Sequence, residues 1–293
     1  MQSSQSLVSV VIACYNHEQF VQDAIQSVID QTYNNIELII IDDGSKDSSV
    51  AKIKEMIELC ERRFTRFEFR SRANIGLSTT LNEALEWCQG KYYSPFASDD
   101  IMLKDKTATQ VSFLEQNDDI AAVFGGVKLI DNNNMELNGR VTEERSYSFK
   151  QIIMHEHDLP APTQMVRLEL IKKIGGYDSN LFIEDWYMWL KLSQNGRIFC
   201  LSQIFTLYRQ HDSNISKNLT KIHQGRFEVL KHFKNEDNYN SAYYNILWAN
   251  RKELISKSSC AKVIFLIKMF IINPKEFTKK SLFKFRIVFT RNE

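Results

Sequence analysis

The sequence predicts an α/β fold: a mainly parallel sheet flanked by helices, followed by a C-terminal helical extension. Three observations carry this. Short, largely apolar runs recur at residues 7–13, 36–41, 92–97 and 120–127, rich in Val and Ile in the first two and aromatic in the third, and such runs suit strands buried on both faces. Between them lie segments of about ten to fifteen residues with apolar positions at helical spacing, the pattern of βαβ units. Beyond His211 the signals are helical alone.

Taken in order, residues 7–13 predict the first strand, and Asn16 stands where it can cap a helix. That helix carries Phe20, Val21, Ala24, Ile25, Val28 and Ile29 at helical spacing. Residues 36–41 predict a second strand running into Asp42-Asp43-Gly44-Ser45, and Asp47 is the expected N-cap of a helix reaching about Cys60. A strand at 64–69, a helix at 77–87, a strand at 92–97, a helix at 104–115 and a strand at 120–127 continue the alternation. Residues 132–158 are polar and irregular, as in an insertion or mobile loop. Order resumes with Met165-Val166, the Gly175-Gly176-Tyr177-Asp178 turn and a helix opening at Glu184-Asp185. Helices are then expected over 222–233, 239–254 and 260–271. The division that follows is one domain over residues 1–215 and a helical, basic region over 216–293.

With 293 residues, 43% hydrophobic and 25% charged, the chain can bury one large core or two modest ones, and nothing in its composition indicates disorder. Its five cysteines are widely spaced and include no CxxC pair, which predicts a reducing compartment. The N-terminal MQSSQSLVSV lacks a basic segment followed by an apolar one, so no secretory signal is expected and the placement is cytoplasmic. The tripeptides beginning at Asn214 and Asn218 then match the glycosylation pattern by chance.

The net charge of +1 hides an asymmetry. From Arg251 onward there are eleven Lys and Arg against three acids, a surplus of eight, so the preceding residues sum to −7. The basic end predicts an anionic surface as partner. Residues 263–272 are apolar apart from Lys268, too short to span a bilayer, which takes about 20 residues. With Lys275, Lys279, Lys280, Lys284 and Arg286 they predict peripheral association with an anionic membrane. The alternative is a helical cap packed on the first domain. No nucleic-acid-binding module accompanies the basic charge, so no nucleic-acid partner is expected.

In open α/β sheets ligands bind beyond the carboxyl ends of the strands, and both Asp pairs follow a strand immediately. Asp42-Asp43-Gly44-Ser45 offers carboxylates to a base or ribose and backbone donors at a helix entrance, although a plain turn and cap has the same pattern. Asp99-Asp100 places two acids side by side, where they repel unless a cation or hydrogen bonds compensate. Their oxygens suit Mg²⁺ or Mn²⁺ bridging to a phosphate, and the bland reading is a solvated loop. Glu184-Asp185 precedes Trp186, Tyr187 and Trp189. Either it is an acidic first turn favoured by the helix dipole, or partial burial raises a carboxyl pKa and prepares a general base. His211, in Tyr208-Arg209-Gln210-His211, is a phosphate or metal ligand or a structural histidine. His155 and His157 have no matching partners and are not read as a metal site.

These residues resemble a known family. Val10-Val11-Ile12-Ala13-Cys14-Tyr15-Asn16, Gln31-Thr32-Tyr33, Ile41-Asp42-Asp43-Gly44-Ser45-Lys46-Asp47, Asn74-Ile75-Gly76, Asp99-Asp100, Gly175-Gly176-Tyr177-Asp178 and Glu184-Asp185 occur in the order found in family 2 inverting glycosyltransferases of the GT-A fold. The match runs from Leu7 to His211. It implies that residues 1–215 bind a nucleotide sugar, with Tyr15 stacked on the base, Ala13 touching it through its backbone, and Asp43, with Asp42 beside it, binding it. Asn74 joins this nucleotide-binding set and Asp99 approaches the ribose. Asp100, with His211, holds Mn²⁺ or Mg²⁺ on the diphosphate, and Asp185 is the base. The family often has a further Asp where Ala97 stands, and many members have an Arg where Leu81 stands. The diphosphate must then be neutralised otherwise, by the metal or Arg209. The resemblance further implies a donor linked to UDP and a lipid-linked saccharide acceptor, as in O-antigen or other polysaccharide synthesis at the inner face of the plasma membrane. A sugar nucleotidyltransferase is the rival enzyme, but the loop Ala13-Cys14-Tyr15-Asn16-His17 has no Gly for a phosphate loop. A non-catalytic nucleotide-sugar-binding module is the other alternative.

Overall fold

Two strands set the frame of the sheet, β1 (Val8–Cys14), buried except for the half-buried Ala13, and the wholly buried β2 (Ile36–Asp42). The computed structural model describes residues 5–137, 143–212, 214, 217–253 and 259–278. The expected residues Lys279, Lys280, Lys284 and Arg286 lie outside them, as does part of the 132–158 segment.

Strand β1 pairs in parallel with β2 on one side and with β4 (Tyr92–Ala97) on the other, and β3 (Arg66–Ser71) adds in parallel beyond β2. Apolar side chains on both faces are what a central parallel strand requires. Glu37 interrupts the apolar run of β2 yet is fully buried. It accepts from Ser9 Oγ at 2.5 Å and from the Gly90 N–H at 3.0 Å, and pairs with Arg66 at 2.9 Å. In β1 and its neighbours, Cys14 lies opposite Asp42 and Ala13 opposite Ala97. The carboxyl ends of β1, β2 and β4 are therefore level, and their following loops leave from one edge.

Helices cover this half of the sheet. In α1 (Val21–Ile29), Val21, Ala24, Ile25 and Val28 form the buried stripe. The helix expected over 47–60 is two helices, α2 (Ser49–Lys54) and α3 (Ile57–Arg63), broken where the Met56 N–H bonds to the Ile53 carbonyl. Asp47 does serve the first of them, accepting from the Ser49 N–H at 2.9 Å. Asn16 does not cap α1. It sits at φ 55° and accepts the Lys46 N–H at 2.8 Å, while the first turn before α1 closes on the His17 carbonyl. Helices α4 (Leu77–Trp87) and α5 (Lys106–Glu115) lie where the pattern put them, within two residues.

The second half of the sheet departs most from expectation. Strand β6 (Ile120–Ile130) runs parallel to β9 (Arg197–Arg209), which the sequence pattern did not signal. Register shifts after Ile120 and on both sides of Gly126 break the period-two alternation by which such a strand is recognised. The short β8 (Met165–Arg167) pairs antiparallel with both β4 and β6 and joins the halves. The segment expected to be irregular holds β7 (Arg145–Tyr147), antiparallel to β9, and α6 (Phe149–Ile153). The two-residue β5 (Ile101–Met102) also pairs with β9, giving the order β3-β2-β1-β4-β8-β6-β9-β5. Helices α7 (Leu168–Lys173) and α8 (Glu184–Ser193) complete this unit, which comprises Met1–Ile152 and His157–Leu219.

A second unit, Ile153–Glu156 with Thr220–Glu293, is mainly helical over its described residues. Helices α10 (Tyr239–Glu253) and α11 (Ser259–Ile272) enclose a small core of Tyr244, Trp248 and Met269, with the Tyr244 hydroxyl donating to the Met269 carbonyl at 3.1 Å. Helix α9 (Leu219–Lys231) precedes them, burying Val229 and Leu230. Among the described residues no helix is long and apolar enough to cross a membrane.

One buried charge in the first unit opposes folding. Lys106 is fully buried with no carboxylate partner among the described residues; its Nζ donates to Ser94 Oγ at 2.8 Å and to the Gln164 carbonyl at 3.4 Å. Burial lowers its pKa to about 7. Because the folded value lies below the unfolded one, the unfolded chain binds the extra proton between about pH 7 and 10.5, and stability rises with pH over that window. Lys106→Met is expected to stabilise the protein at pH 6 by on the order of a few kcal/mol, with the gain vanishing towards pH 10. Urea midpoints of both proteins across that range check this; an unchanging gap would contradict it.

Candidate active site

The level strand ends place three loops around one cavity of about 630 Å³ in the first unit. The loop after β1 and the loop after β2 are strapped together. The Asn16 N–H donates to Ser45 Oγ at 2.8 Å, the His17 N–H to Ser49 Oγ at 2.9 Å and the Glu18 N–H to Asp47 Oδ2 at 3.0 Å. In return the Ser48 N–H donates to Glu18 Oε2 at 2.7 Å. Tyr15, 44% exposed, and Ala13 line the cavity on this side.

The two acids of the β2 loop do different things. Asp42 is fully buried and does not line the cavity; its Oδ2 accepts the Gly44 and Ser45 N–H groups at 3.2 and 3.1 Å and shapes the turn. Asp43 does line it. Its carboxylate accepts the Ile75 N–H at 2.9 Å, the Gly76 N–H at 3.0 Å and the Arg72 guanidinium, which balances its charge. Asn74 lines the cavity too and donates to the Asp43 carbonyl at 2.8 Å. Gly44 makes this possible: at φ +76° a Cβ would also lie 2.5 Å from the Asn74 nitrogen.

At the end of β4 the acids separate again. Asp99 Oδ2 meets His211 Nε2 at 2.8 Å, and His17 Nε2 lies 3.9 Å from the same oxygen. Burial alone would raise the Asp99 carboxyl, but the His211 hydrogen bond and the two imidazoles outweigh it and hold the pKa below the usual value. For His17, burial prevails over Asp99 and lowers the imidazole pKa. Phe20 packs against both rings, 6.1 Å from His17 and 5.2 Å from His211 by centroid. Asp100 is fully buried; Oδ1 accepts the Arg209 N–H at 2.8 Å and Oδ2 has no hydrogen-bond partner among the described residues. Burial, with the Asp99 charge beside it, pushes its pKa well up.

The fifth and sixth expected acids open α8. Glu184 and Asp185 line the cavity while Trp186 and Trp189 anchor the helix, donating to the Ile152 carbonyl and Gln164 Oε1 at 3.1 and 3.2 Å. Burial and the Asp185 charge push Glu184 up to about 8. Burial also raises Asp185, whose Oδ1 accepts the Trp186 N–H at 2.6 Å. Opposite them stands Tyr177, whose backbone N–H and carbonyl are both held by the Asn82 amide at 2.8 Å. Gly176 permits that approach, since a Cβ there would fall 2.4 Å from Asn82 Oδ1.

The structure thus brings Ala13, Tyr15, Asp43, Asn74, Asp99, Asp100, Asp185 and His211 to one cavity and leaves Asp42 beneath it. His211 meets Asp99, not Asp100: the expected metal ligand Asp100 lines the same cavity, but it is not one of the cluster of donor groups that His211 forms with Asp99 and His17. Arg209, expected to help neutralise a diphosphate, does not reach the cavity. It is fully buried, with Nε donating to the Asp99 carbonyl at 2.7 Å, Nη1 to the Asp131 carbonyl at 3.0 Å and Nη2 to Asp23 at 3.3 Å. Arg209→Met should therefore cost about 3–5 kcal/mol of stability, measurable as a lowered urea midpoint; a cost under 1 kcal/mol would show that this network is slack. His17 was missed by the sequence reading, since a lone His after a strand has no spacing signal.

Whether a divalent cation fits can be judged from the lining. Among the described residues the cavity presents five carboxylates (Asp43, Asp99, Asp100, Glu184, Asp185) and neither Lys nor Arg. No Lys or Arg of that lining is there to neutralise a diphosphate, so a bound cation would have to do it. His17, Asp99 and His211 offer donor atoms all within 4.8 Å of one another, and imidazole with carboxylate is a donor set that accepts first-row divalent ions. The site fits the group.

Comparison with known proteins agrees with this geometry. The family model described as glycosyl transferase family 2 matches residues 9–175, more than half of the chain. An uncharacterised glycosyltransferase of Methanocaldococcus jannaschii is 29% identical over 81% of this chain and 83% of its own. An Escherichia coli enzyme named as a UDP-Glc:α-D-GlcNAc-diphosphoundecaprenol β-1,3-glucosyltransferase is 27% identical over 78% of this chain and 86% of its own. The solved structure of a mannosyltransferase from Pyrobaculum calidifontis, in complex with GDP-Man and Mn²⁺, superposes with a TM-score of 0.67 at 13% identity, over 91% of this chain and 75% of that one. The sheet and its flanking helices are those of the GT-A fold, and the chain belongs to glycosyltransferase family 2.

Proposed function

We propose that this glycosyltransferase transfers a sugar from a nucleoside-diphosphate donor to an acceptor hydroxyl with inversion at the anomeric carbon. The observation that carries the reading is the position of Glu184 and Asp185, whose raised proton affinity faces the same cavity as Tyr15, Asp43 and Asp99. Tyr15 offers an exposed ring for the base, and Ala13, Asp43 and Asn74 its polar surroundings. Asp185 takes the proton of the acceptor hydroxyl as its oxygen bonds to the anomeric carbon, and the bond to the diphosphate breaks to release nucleoside diphosphate. A single displacement of this kind inverts the configuration. Asp99 and His211 would hold Mn²⁺ or Mg²⁺, and the ion, when bound, offsets charge on the departing diphosphate.

A UDP-linked donor and a lipid-linked saccharide acceptor of O-antigen type are supported by the name of the Escherichia coli relative. The second unit supplies a surface for such an acceptor. Ile264, Leu266, Ile267, Phe270, Ile271 and Ile272 of α11 are all exposed, Ile271 to 71%, and the surplus of basic residues follows in the sequence. This face would lie on the anionic inner leaflet of the plasma membrane. Sedimentation with phosphatidylglycerol vesicles, lost on Ile267→Glu/Ile271→Glu, tests it; equal binding by the variant would refute it.

The main test is a screen of UDP-sugars with a lipid-linked saccharide and Mn²⁺, following UDP release and the anomeric configuration of the product by NMR. Retention of configuration would overturn the single displacement. Release of pyrophosphate instead of UDP would point to a nucleotidyltransferase, and binding without turnover to a non-catalytic module.

A further inference from the structure

His17 and His211 come from opposite ends of the first unit yet converge on one oxygen, Asp99 Oδ2. His211 Nε2 reaches it as a hydrogen bond of 2.8 Å, whereas His17 Nε2 stops at 3.9 Å, outside hydrogen-bond range. The His17 ring is nonetheless firmly placed. Its Nδ1 meets Ser98 Oγ at 2.7 Å, its backbone N–H is tied to Ser49, and the Phe20 and His211 rings pack against it in edge-to-face pairs, the latter at 5.6 Å and 83°. In the tautomer in which Nδ1–H donates to Ser98, the lone pair is on Nε2, the atom that lies 3.9 Å from Asp99 Oδ2. An imidazole fixed through one nitrogen and aimed, without contact, at a carboxylate already bonded to a second imidazole is the arrangement of a metal ligand with its outer-shell partner.

The rest of the lining gives this nitrogen a purpose. Ala97, two residues before Asp99 at the end of β4, also lines the cavity and has no donor atom. Asp99 and His211 alone would supply two protein donors. We propose that His17 is the third protein ligand of the divalent cation, so that the site is built from two imidazoles and one carboxylate, with Ser98 holding His17 in its ligating tautomer. The inference rests on the reading of the site as cation-dependent and adds a ligand to it. Two nitrogen donors favour transition-metal ions over Mg²⁺, so the site should prefer Mn²⁺, and more strongly Co²⁺ or Zn²⁺, to Mg²⁺.

The test is Mn²⁺ binding to the full chain, alone and with UDP, by the loss of the free-ion EPR signal, together with pulsed EPR of the bound ion. Two directly bound imidazole nitrogens are expected in the wild type and one in His17→Ala, with at least a tenfold weaker Mn²⁺ affinity. Mg²⁺ should compete for the wild-type site less well than for the variant. The wild-type nitrogen count does not depend on how a variant folds. A single bound imidazole in the wild type, or His17→Ala keeping wild-type affinity, would overturn the proposal while leaving a site of Asp99 and His211 intact. Failure of the wild type to bind Mn²⁺ at millimolar concentration, with or without UDP, would overturn both readings together.

Discussion

Asp185→Asn is expected to lower kcat by about 10²–10⁴-fold while the donor still binds, because the amide keeps the shape of the carboxylate but cannot take the acceptor's proton. Glu184→Gln is the informative companion. Glu184 is the acid pushed up to about 8, so it is largely protonated at neutral pH, and glutamine imitates that neutral form. Most activity should therefore survive in Glu184→Gln at pH 7. The pH profile follows from the same shifts. A base works only when deprotonated, and a raised pKa keeps the proton on to higher pH, so kcat of the wild type should climb through the range in which the pair titrates, up to about 8. Removing the titrating neighbour should simplify that limb. If Glu184→Gln were inactive and Asp185→Asn active, the base would be Glu184, and the assignment made here would be wrong.

Asp99→Asn should have the next largest effect. It removes the carboxylate that both imidazoles face, in a cavity whose described lining has no Lys or Arg to balance a diphosphate. A loss of about 10²–10³ in kcat/KM is expected, with donor affinity falling to the level the wild type shows in EDTA. Calorimetric titration of UDP with and without Mn²⁺ would show it. Wild-type turnover that is indifferent to EDTA would sink the expectation for metal and variant alike. Asp42→Asn gives the contrast: that carboxylate binds the Gly44 and Ser45 amides outside the cavity, so its loss should disturb the turn before it disturbs catalysis.

Much of the fold was legible because burial leaves a local record. The apolar runs of β1, β2 and β4 and the stripe of α1 follow from being sandwiched in a parallel sheet, and α4 and β4 appear at the expected residues. Strand β9 left no such record. Its register shifts against β6, and the exposed Ser202 and Gln203 break the alternation. The short β5, β7 and α6 have too few residues for any period; their partners hold them. The same division runs through the site. Strand ends mark where acids gather, but nothing in the spacing separates Asp42 from Asp43 or Asp99 from Asp100.

By itself, then, the sequence determined the α/β alternation, the edge at which the acid pairs emerge and the family they resemble, since each is written in contiguous residues. Tertiary structure alone decided that Asp42 turns inward, that Arg209 is consumed by backbone carbonyls, that His17 and His211 meet over Asp99, and that Glu184 holds its proton to about 8. Ligation and proton affinity are set by desolvation and by charges within a few ångströms, and those neighbours come from distant parts of the chain.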